Sequence, residues 1–456
     1  MNLMAAKSVQ HSFSNDLARE NGYTIHPSFS EAFKFWLKLG FISFGGPAGQ
    51  ISIMYQELVE KRRWLSNERF LNALNYCMFL PGPEAQQLTA YIGWLLHKIP
   101  GGIVAGSLFI IPSIFILFAL SYIYVAFGNI AWVAALFGGL KAAVMAVVVT
   151  AVLKIGKKAL KNHVMVLLAA ASFVCIFFFK LPFPIIVIGA SLIGLIGSMA
   201  LPRSFQIVPE KRIADHEKGY VQICEDPDAC HLNPSKTRNT LLILTFSGLW
   251  TLPLLMLYVV LPETVFLAVG LFFTKAAFLT FGGAYAVLAY IGQAGVEHFG
   301  WLTAPQMIDG LGLAETTPGP LIMVVQFVGF MAGWNYHGTF SPLTGAIIGS
   351  LVATYFTFLP CFLFIFLGGP YIEKFRGNKK LSGALSSITA AVVGVILNLA
   401  VWFGMQVLFS PEMGVNWFAA IIGLASFVAI QWKKLNIITV ILVSGGMGLV
   451  RGLLFW

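Results

Sequence analysis

Apolar positions run along this chain in long blocks with few polar interruptions. The blocks at 99–126, 130–153, 163–180, 183–200, 240–262, 342–367, 385–409, 415–431 and 436–455 compare with roughly 20 residues for one membrane-spanning helix. A backbone crossing lipid must satisfy its own hydrogen bonds, so these blocks predict helices and not strands. Four further apolar stretches, 31–58, 70–97, 264–291 and 307–333, are broken by glycine and proline. Such breaks interrupt the helical ladder and predict discontinuous helices or re-entrant hairpins whose freed backbone groups face a cavity or a ligand. Nine continuous blocks and four broken stretches give an all-α polytopic membrane protein with up to 13 membrane segments.

The broken stretches occur twice in one register. Lys38, Ser43-Phe44-Gly45-Gly46, Gln56, Glu60, Trp64-Leu65 and Pro81-Gly82-Pro83 are answered by Lys275, Thr280-Phe281-Gly282-Gly283, Gln293, Glu297, Trp301-Leu302 and Pro318-Gly319-Pro320. Subtraction gives 237 throughout, as in 275 − 38 and 318 − 81. The echo resumes at Pro112 and Pro360, where 360 − 112 is 248, and the added residues fall in the loop around Trp334–Pro342. A gap-free internal repeat in so apolar a chain predicts a duplicated transport unit. The units are a polar tail 1–30, a first repeat 31–200, a linker 201–239, an unpaired helix 240–262 and a second repeat 263–456.

Charge in the aligned loops orients the halves. Lys61-Arg62-Arg63 faces His298-Phe299-Gly300, and Lys154, Lys157, Lys158 and Lys161 align with Trp402, Met405, Gln406 and Phe409. Lys374, Arg376, Lys379 and Lys380 of the second half align with Ala126, Gly128, Ala131 and Trp132. Basic loops lie on the cytoplasmic side, so the repeats are expected to be inverted, with 240–262 as the inverting helix. The same rule places the N-terminus and the basic linker 201–239 in the cytoplasm.

With 58% hydrophobic and 11% charged residues and a mean hydropathy of +0.81, the chain lies outside the range of soluble domains. Its net charge of +10 is read as basic loops, not as nucleic-acid binding. No cleaved leader is expected from the polar first 30 residues. Cys77, Cys175 and Cys361 sit in apolar segments as small hydrophobes. In the linker, Cys224 and Cys230 with His216 and His231 lack a usual zinc spacing, so no metal site is expected.

The twin Phe-Gly-Gly and Pro-Gly-Pro motifs, with Trp-Leu between them and two halves, resemble the long-chain, two-domain members of the chromate ion transporter family over roughly 30–200 and 264–455. The resemblance implies efflux of chromate across a bacterial cytoplasmic membrane, conferring resistance, with sulfate as the similar competitor. It departs from the repeat at Ala284, where the first motif has Pro47. A sulfate or other oxyanion importer or exchanger on the same fold is the alternative. The expected partners are chromate, sulfate, the lipid bilayer and a second copy of the chain in a homodimer. Direct ATP drive is not expected, since no Walker A sequence is present; a membrane-embedded enzyme such as a chromate reductase would need a redox cofactor or paired reactive cysteines, and the cysteines are scattered, so neither a cofactor nor an enzymatic activity is expected.

A dianion in a low-dielectric site needs positive charge and many donors. Lys38 and Lys275 each precede a break by six residues, about 9 Å of helix; either they line the path or they snorkel to an interface. Gly45, Gly46, Gly282 and Gly283 let consecutive amides aim at an oxyanion, beside Phe44 and Phe281, and Ser43 and Thr280 offer hydroxyls there or to their own helix. Pro81, Gly82, Pro83, Pro318, Gly319 and Pro320 form the second half of each candidate binding region, with Gln87 as a neutral donor. Gln86 and Gln326 are selectivity groups or interhelical glue. Glu84 and Glu315, acids beside breaks, are candidate proton carriers or backbone caps. Gln56, Glu60 and Trp64 with their counterparts fit a repeated structural contact. Lys141, aligned with Thr389, is a candidate one-sided gate.

Overall fold

The computed structural model describes residues 27–128, 130–201, 205, 235–261, 264–281, 283–371, 379–410 and 414–454. The linker cysteines and histidines, and Gly282, lie outside the described residues. Helices build nearly everything, apart from a ladder of Phe409–Ser410 with Gly414–Val415. Seven helices are long and apolar enough to cross a membrane, and shorter apolar ones accompany them. The chain is an all-α polytopic membrane protein.

The first repeat starts with α1 (Phe29–Ile42) and α2 (Gly46–Tyr55), which continues as a π-helical turn over Gln56–Lys61. Next come α3 (Asn67–Phe79) and α4 (Glu84–Phe127), the latter broken at His97 and Lys98. The long α5 (Ala131–Ala159) precedes α6 (His163–Phe177) and α7 (Phe183–Ala200). An outlying helix, α8 (Lys236–Val260), leads to the second set: α9 (Val265–Leu279), α10 (Ala284–Gln293) with a π turn over Ala294–His298, and α11 (Ala304–Thr316). That set closes with α12 (Val324–Asn335), α13 (Pro342–Gly368), α14 (Lys379–Leu408), α15 (Trp417–Gln431) and α16 (Ile437–Leu454). Helix α11 repeats α3 at both ends, since 304 − 67 and 316 − 79 are 237. α14 starts 379 − 131, or 248, after α5, and α15 and α16 trail α6 and α7 by 254.

Each broken stretch folds back on itself as a hairpin. Glu31 at the start of α1 meets Arg62 after α2 at 3.5 Å, and the Arg62 guanidinium lies over the rings of Phe35 and Trp64. The next hairpin, α3 to the first half of α4, returns to the same end, where His97 Nε2 is 3.0 Å from the Pro27 carbonyl. In the second repeat Phe272 packs on Phe299 and Trp301, and Asn335 donates to the Trp301 carbonyl at 2.9 Å. The two hairpin pairs enter from opposite ends of the molecule. The second half of α4 runs from the His97 end to Tyr124, which bonds Asp309 near the start of α11. α13 runs the other way, and its C-terminal end reaches the first pair, where Tyr76 donates to the Phe364 carbonyl.

Each long helix is embraced by the other repeat: α5 packs against α15 and α16, and α14 against α6 and α7. α8 buries little beyond Leu242 and Phe246 and shows Leu241, Leu244, Leu252 and Met256 to the outside. So much exposed apolar surface suits lipid and not water. Close helix contact is made through glycine, as expected where packing replaces the hydrophobic effect. A methyl on Gly349 of α13 would run into the Gly329 carbonyl oxygen of α12, which is backbone and cannot rotate away. Gly349→Ala is therefore expected to lower the thermal midpoint of the purified protein by the cost of over-packing, about 1–3 kcal/mol. Gly189→Ala, where nothing lies within 4 Å, should leave it unchanged.

Candidate functional site

The tips of the four hairpins meet, and they meet crosswise. Ser43 (φ −81°, ψ 80°) and Thr280 (φ −76°, ψ 66°) end α1 and α9 in the same tight turn, closed by Phe44 N–H to Ile42 O at 3.0 Å and Phe281 N–H to Leu279 O at 2.8 Å. This conformation is an inverse γ-turn. The Ser43 carbonyl then accepts from Gly319 N–H, and the Thr280 carbonyl from Gly82 N–H, both at 2.8 Å. Each Phe-Gly-Gly break is thus joined to the Pro-Gly-Pro loop of the opposite repeat. A Cβ on Gly319, at φ +99°, would lie 2.8 Å from Ser113 Cβ, and Gly82, at φ +133°, is crowded by Gln87 and Cys361. Ser113 and Cys361 are themselves repeat partners, as 361 − 113 is 248.

Helix N-termini converge on these junctions. Gly45 (φ 85°) caps α2, Gly283 (φ 96°) caps α10 and Pro83 caps α4, none with a side-chain hydrogen bond to the first-turn amides. Unpaired amides and the positive end of the helix dipole make such termini anion sites. A methyl on Gly46 would meet nothing within 4 Å, so there is room against the backbone there. The Ser43 and Thr280 hydroxyls are buried and donate to Leu39 O at 2.6 Å and Ala276 O at 2.7 Å. That leaves their lone pairs, not their protons, for any further partner.

The junctions are braced unequally. Gln50 Nε2 donates to Gly319 O at 2.6 Å and Ser43 O at 3.4 Å across one; at the other, Gln87 Nε2 donates to Pro81 O at 2.8 Å within the Pro-Gly-Pro loop itself. Their repeat counterparts are Val287 and Val324, so both braces come from the first half. Gln86 is fully buried with neither amide atom paired, and the Oε1 atoms of Gln50 and Gln87 accept no bond. Buried orphans of this kind mark a place for water or ligand.

The acids also lie at the junctions. Glu84 is half-buried at the start of α4, and its Oε1 lies 3.8 Å from where a Gly283 methyl would be. Glu315, 4% exposed, accepts a 2.6 Å hydrogen bond from Tyr285 of α10, which links the Pro318 loop to the other break. Farther along α11, buried Asp309 accepts from Tyr124 at 2.9 Å and pairs with Lys141 at 3.2 Å. Tyr285, Gln50, Asp309 and Tyr124 are absent from the residues the sequence singles out as site candidates. An acid inside an apolar helix is a signal that would have found Asp309.

Lys38 and Lys275 do not join the junctions. Both are exposed, Lys38 on the stripe with Leu37 and Phe41 and Lys275 on that with Leu271 and Phe278. Trp64 and Trp301 are buried clamps at the hairpin bases, closed by N–H bonds of 2.8 Å to Leu58 O and Gly295 O. Gln56, Glu60 and Glu297 are exposed, so the repeated structural contact belongs to the tryptophans. Two surface depressions, of about 450 and 560 Å³, lie at the base of the second hairpin pair near Trp301 and Thr303, with no charged side chain among their linings.

Known proteins share the pattern along most of the chain. A probable chromate transport protein of Synechococcus elongatus is 27% identical over 440 residues, 95% of this chain and 97% of its own length. A chromate transport protein of Pseudomonas aeruginosa is 31% identical over 430 residues, 92% of each, and one of Cupriavidus metallidurans is 26% identical over 362 residues, 79% of each. No solved structure matches the chain. The profile of the chromate transporter family matches residues 30–195 and 267–449, both copies of the hairpin set, and on that match the chain belongs to the chromate transporter family.

Proposed function

We propose that the protein is a secondary transporter that exports chromate from the cytoplasm across a bacterial inner membrane by alternating access, and so confers resistance. The observation that carries this is the crossed pair of tip contacts, Gly319 to Ser43 and Gly82 to Thr280. They tie the two opposed hairpin sets together at their tips and leave helix N-termini around the joint. An oxyanion bound by the amides following Gly45, Gly283 and Pro83 needs no fixed cation, and the backbone donors are pre-organised. Lys38 and Lys275, both exposed, draw the anion toward the breaks by long-range attraction.

Alternating access follows if the opposed hairpin pairs rock against the long helices α5 and α14, breaking one crossed contact at a time. Glu84 and Glu315 carry protons, because each is an acid at a junction and a dianion would be repelled by two ionised carboxylates. Basic residues place the first hairpin bases, with Lys61-Arg62-Arg63, on the cytoplasmic side. The relatives named as chromate transport proteins support the substrate.

Purified protein reconstituted in vesicles of known orientation tests the reading, with chromate and sulfate flux measured both ways. Proton-driven chromate movement out of the cytoplasmic face is expected, with sulfate competing. Inward sulfate transport without chromate export would replace this reading by an importer or exchanger.

A further inference from the structure

We propose that Lys141 is an oxyanion-binding cation of the transport path, held in reserve by Asp309 until the substrate displaces that carboxylate. The inference rests on the transport reading above and adds a second station to it, away from the hairpin tips.

The ion pairs of Glu57, Glu31, Lys61 and Arg62 lie at a hairpin base. Lys141–Asp309 joins two apolar helices, α5 of one repeat and α11 of the other. Its halves differ in access: the Asp309 side chain is 3% exposed, the Lys141 side chain 27%. An incoming anion therefore reaches the ammonium group before the carboxylate.

The pairing is also incomplete. Tyr124 Oη donates to Oδ2 and Lys141 Nζ pairs with the same oxygen, while the buried Oδ1 has no partner. A buried ion pair serves stability only when its remaining lone pairs are satisfied. This one leaves an oxygen unpaired and the lysine with spare donors, since an ammonium group has three. The other copy of the repeat carries no such pair: the corresponding positions are Thr389 and Asn72. α11 leans on α5 through Gly312 against Val144, one turn from Asp309, and carries Glu315 at its other end. A dianion that took Lys141 from Asp309 would free α11, and with it the Pro-Gly-Pro loop, from α5.

Three variants of the full chain decide the matter, read by chromate flux in proteoliposomes and by thermal stabilisation of purified protein with chromate, sulfate or chloride. Lys141→Met is expected to raise the half-saturating chromate concentration roughly tenfold or more, the loss of one charge-assisted hydrogen bond. Asp309→Asn is expected to lower it, because the amide oxygen still accepts from Tyr124 but no longer neutralises the lysine, and the maximal rate falls as the anion leaves slowly. The double variant should regain the thermal midpoint lost in either single one and keep the weak affinity of Lys141→Met. If both single variants shift the half-saturating concentration the same way, or the double variant binds like wild type, the pair is structural and the proposal is wrong. Should wild type move no chromate yet be stabilised by sulfate, the chromate reading fails while the same variants judge Lys141 with sulfate. No stabilisation of wild type by either oxyanion overturns the inference.

Discussion

Gly319→Ala is expected to cut chromate flux to less than about a tenth of wild type and to lower the thermal midpoint of the purified protein. Two costs add. A non-glycine residue at φ +99° is strained by about 1–2 kcal/mol, and the new methyl lies 2.8 Å from Ser113 Cβ, an over-packing worth typically about 1–3 kcal/mol. Moving the loop to relieve the clash breaks Gly319 N–H to Ser43 O and the Gln50 contact at the same carbonyl corner. Gly82→Ala should behave alike, at φ +133° against Gln87 and Cys361. The Ser113→Gly change distinguishes the two costs: combined with Gly319→Ala it should recover the packing share of the stability and leave the backbone share. Wild-type flux and midpoint in Gly319→Ala would show that the crossed junction is not required.

Glu315→Gln is expected to abolish chromate accumulation driven by a proton gradient while preserving exchange of chromate down its own gradient. The amide oxygen of glutamine can still accept from Tyr285, whose hydroxyl now donates at 2.6 Å, so the contact between α11 and α10 survives. What is lost is the ability to bind and release a proton beside the junction. Glu315→Ala is harsher, since the Tyr285 hydroxyl would be buried without a partner at about 1–3 kcal/mol. Glu84→Gln, at the other junction, tests whether one proton path or two is used. Vesicles preloaded with chromate, with and without an imposed pH difference, separate coupling from binding. Undiminished gradient-driven accumulation in the Glu84→Gln, Glu315→Gln double variant would place the coupling group elsewhere.

Legibility in the sequence followed the range of the interaction. Apolar helices appear near the predicted blocks: 163–180 became His163–Phe177, 183–200 became Phe183–Ala200 and 436–455 became Ile437–Leu454. Apolar length is a local property, and lipid forces its consequence. The breaks at Gly45 and Gly283 were equally visible, because a left-handed or extended glycine leaves its mark where it stands. The π turns at Gln56–Lys61 and Ala294–His298 were not, since nothing in their composition separates them from α-helix. Asp309 and Lys141 lie on different helices, and their meeting has no periodicity to announce it.

By itself the sequence determined that this is a helical membrane protein, where its helices fail, and that the failure is repeated. Those facts come from hydrophobic length, from the missing amide of proline and the missing Cβ of glycine, which act on neighbours along the chain. Only the tertiary structure decided that the stretches fold back as hairpins and that Gly319 bonds Ser43 while Gly82 bonds Thr280. It also decided that Gln50 reaches a carbonyl 269 positions away. A residue's pattern fixes which face it shows, but the partner for that face is chosen by packing of the whole bundle. The crossing of the two repeats is therefore a property of the assembled fold.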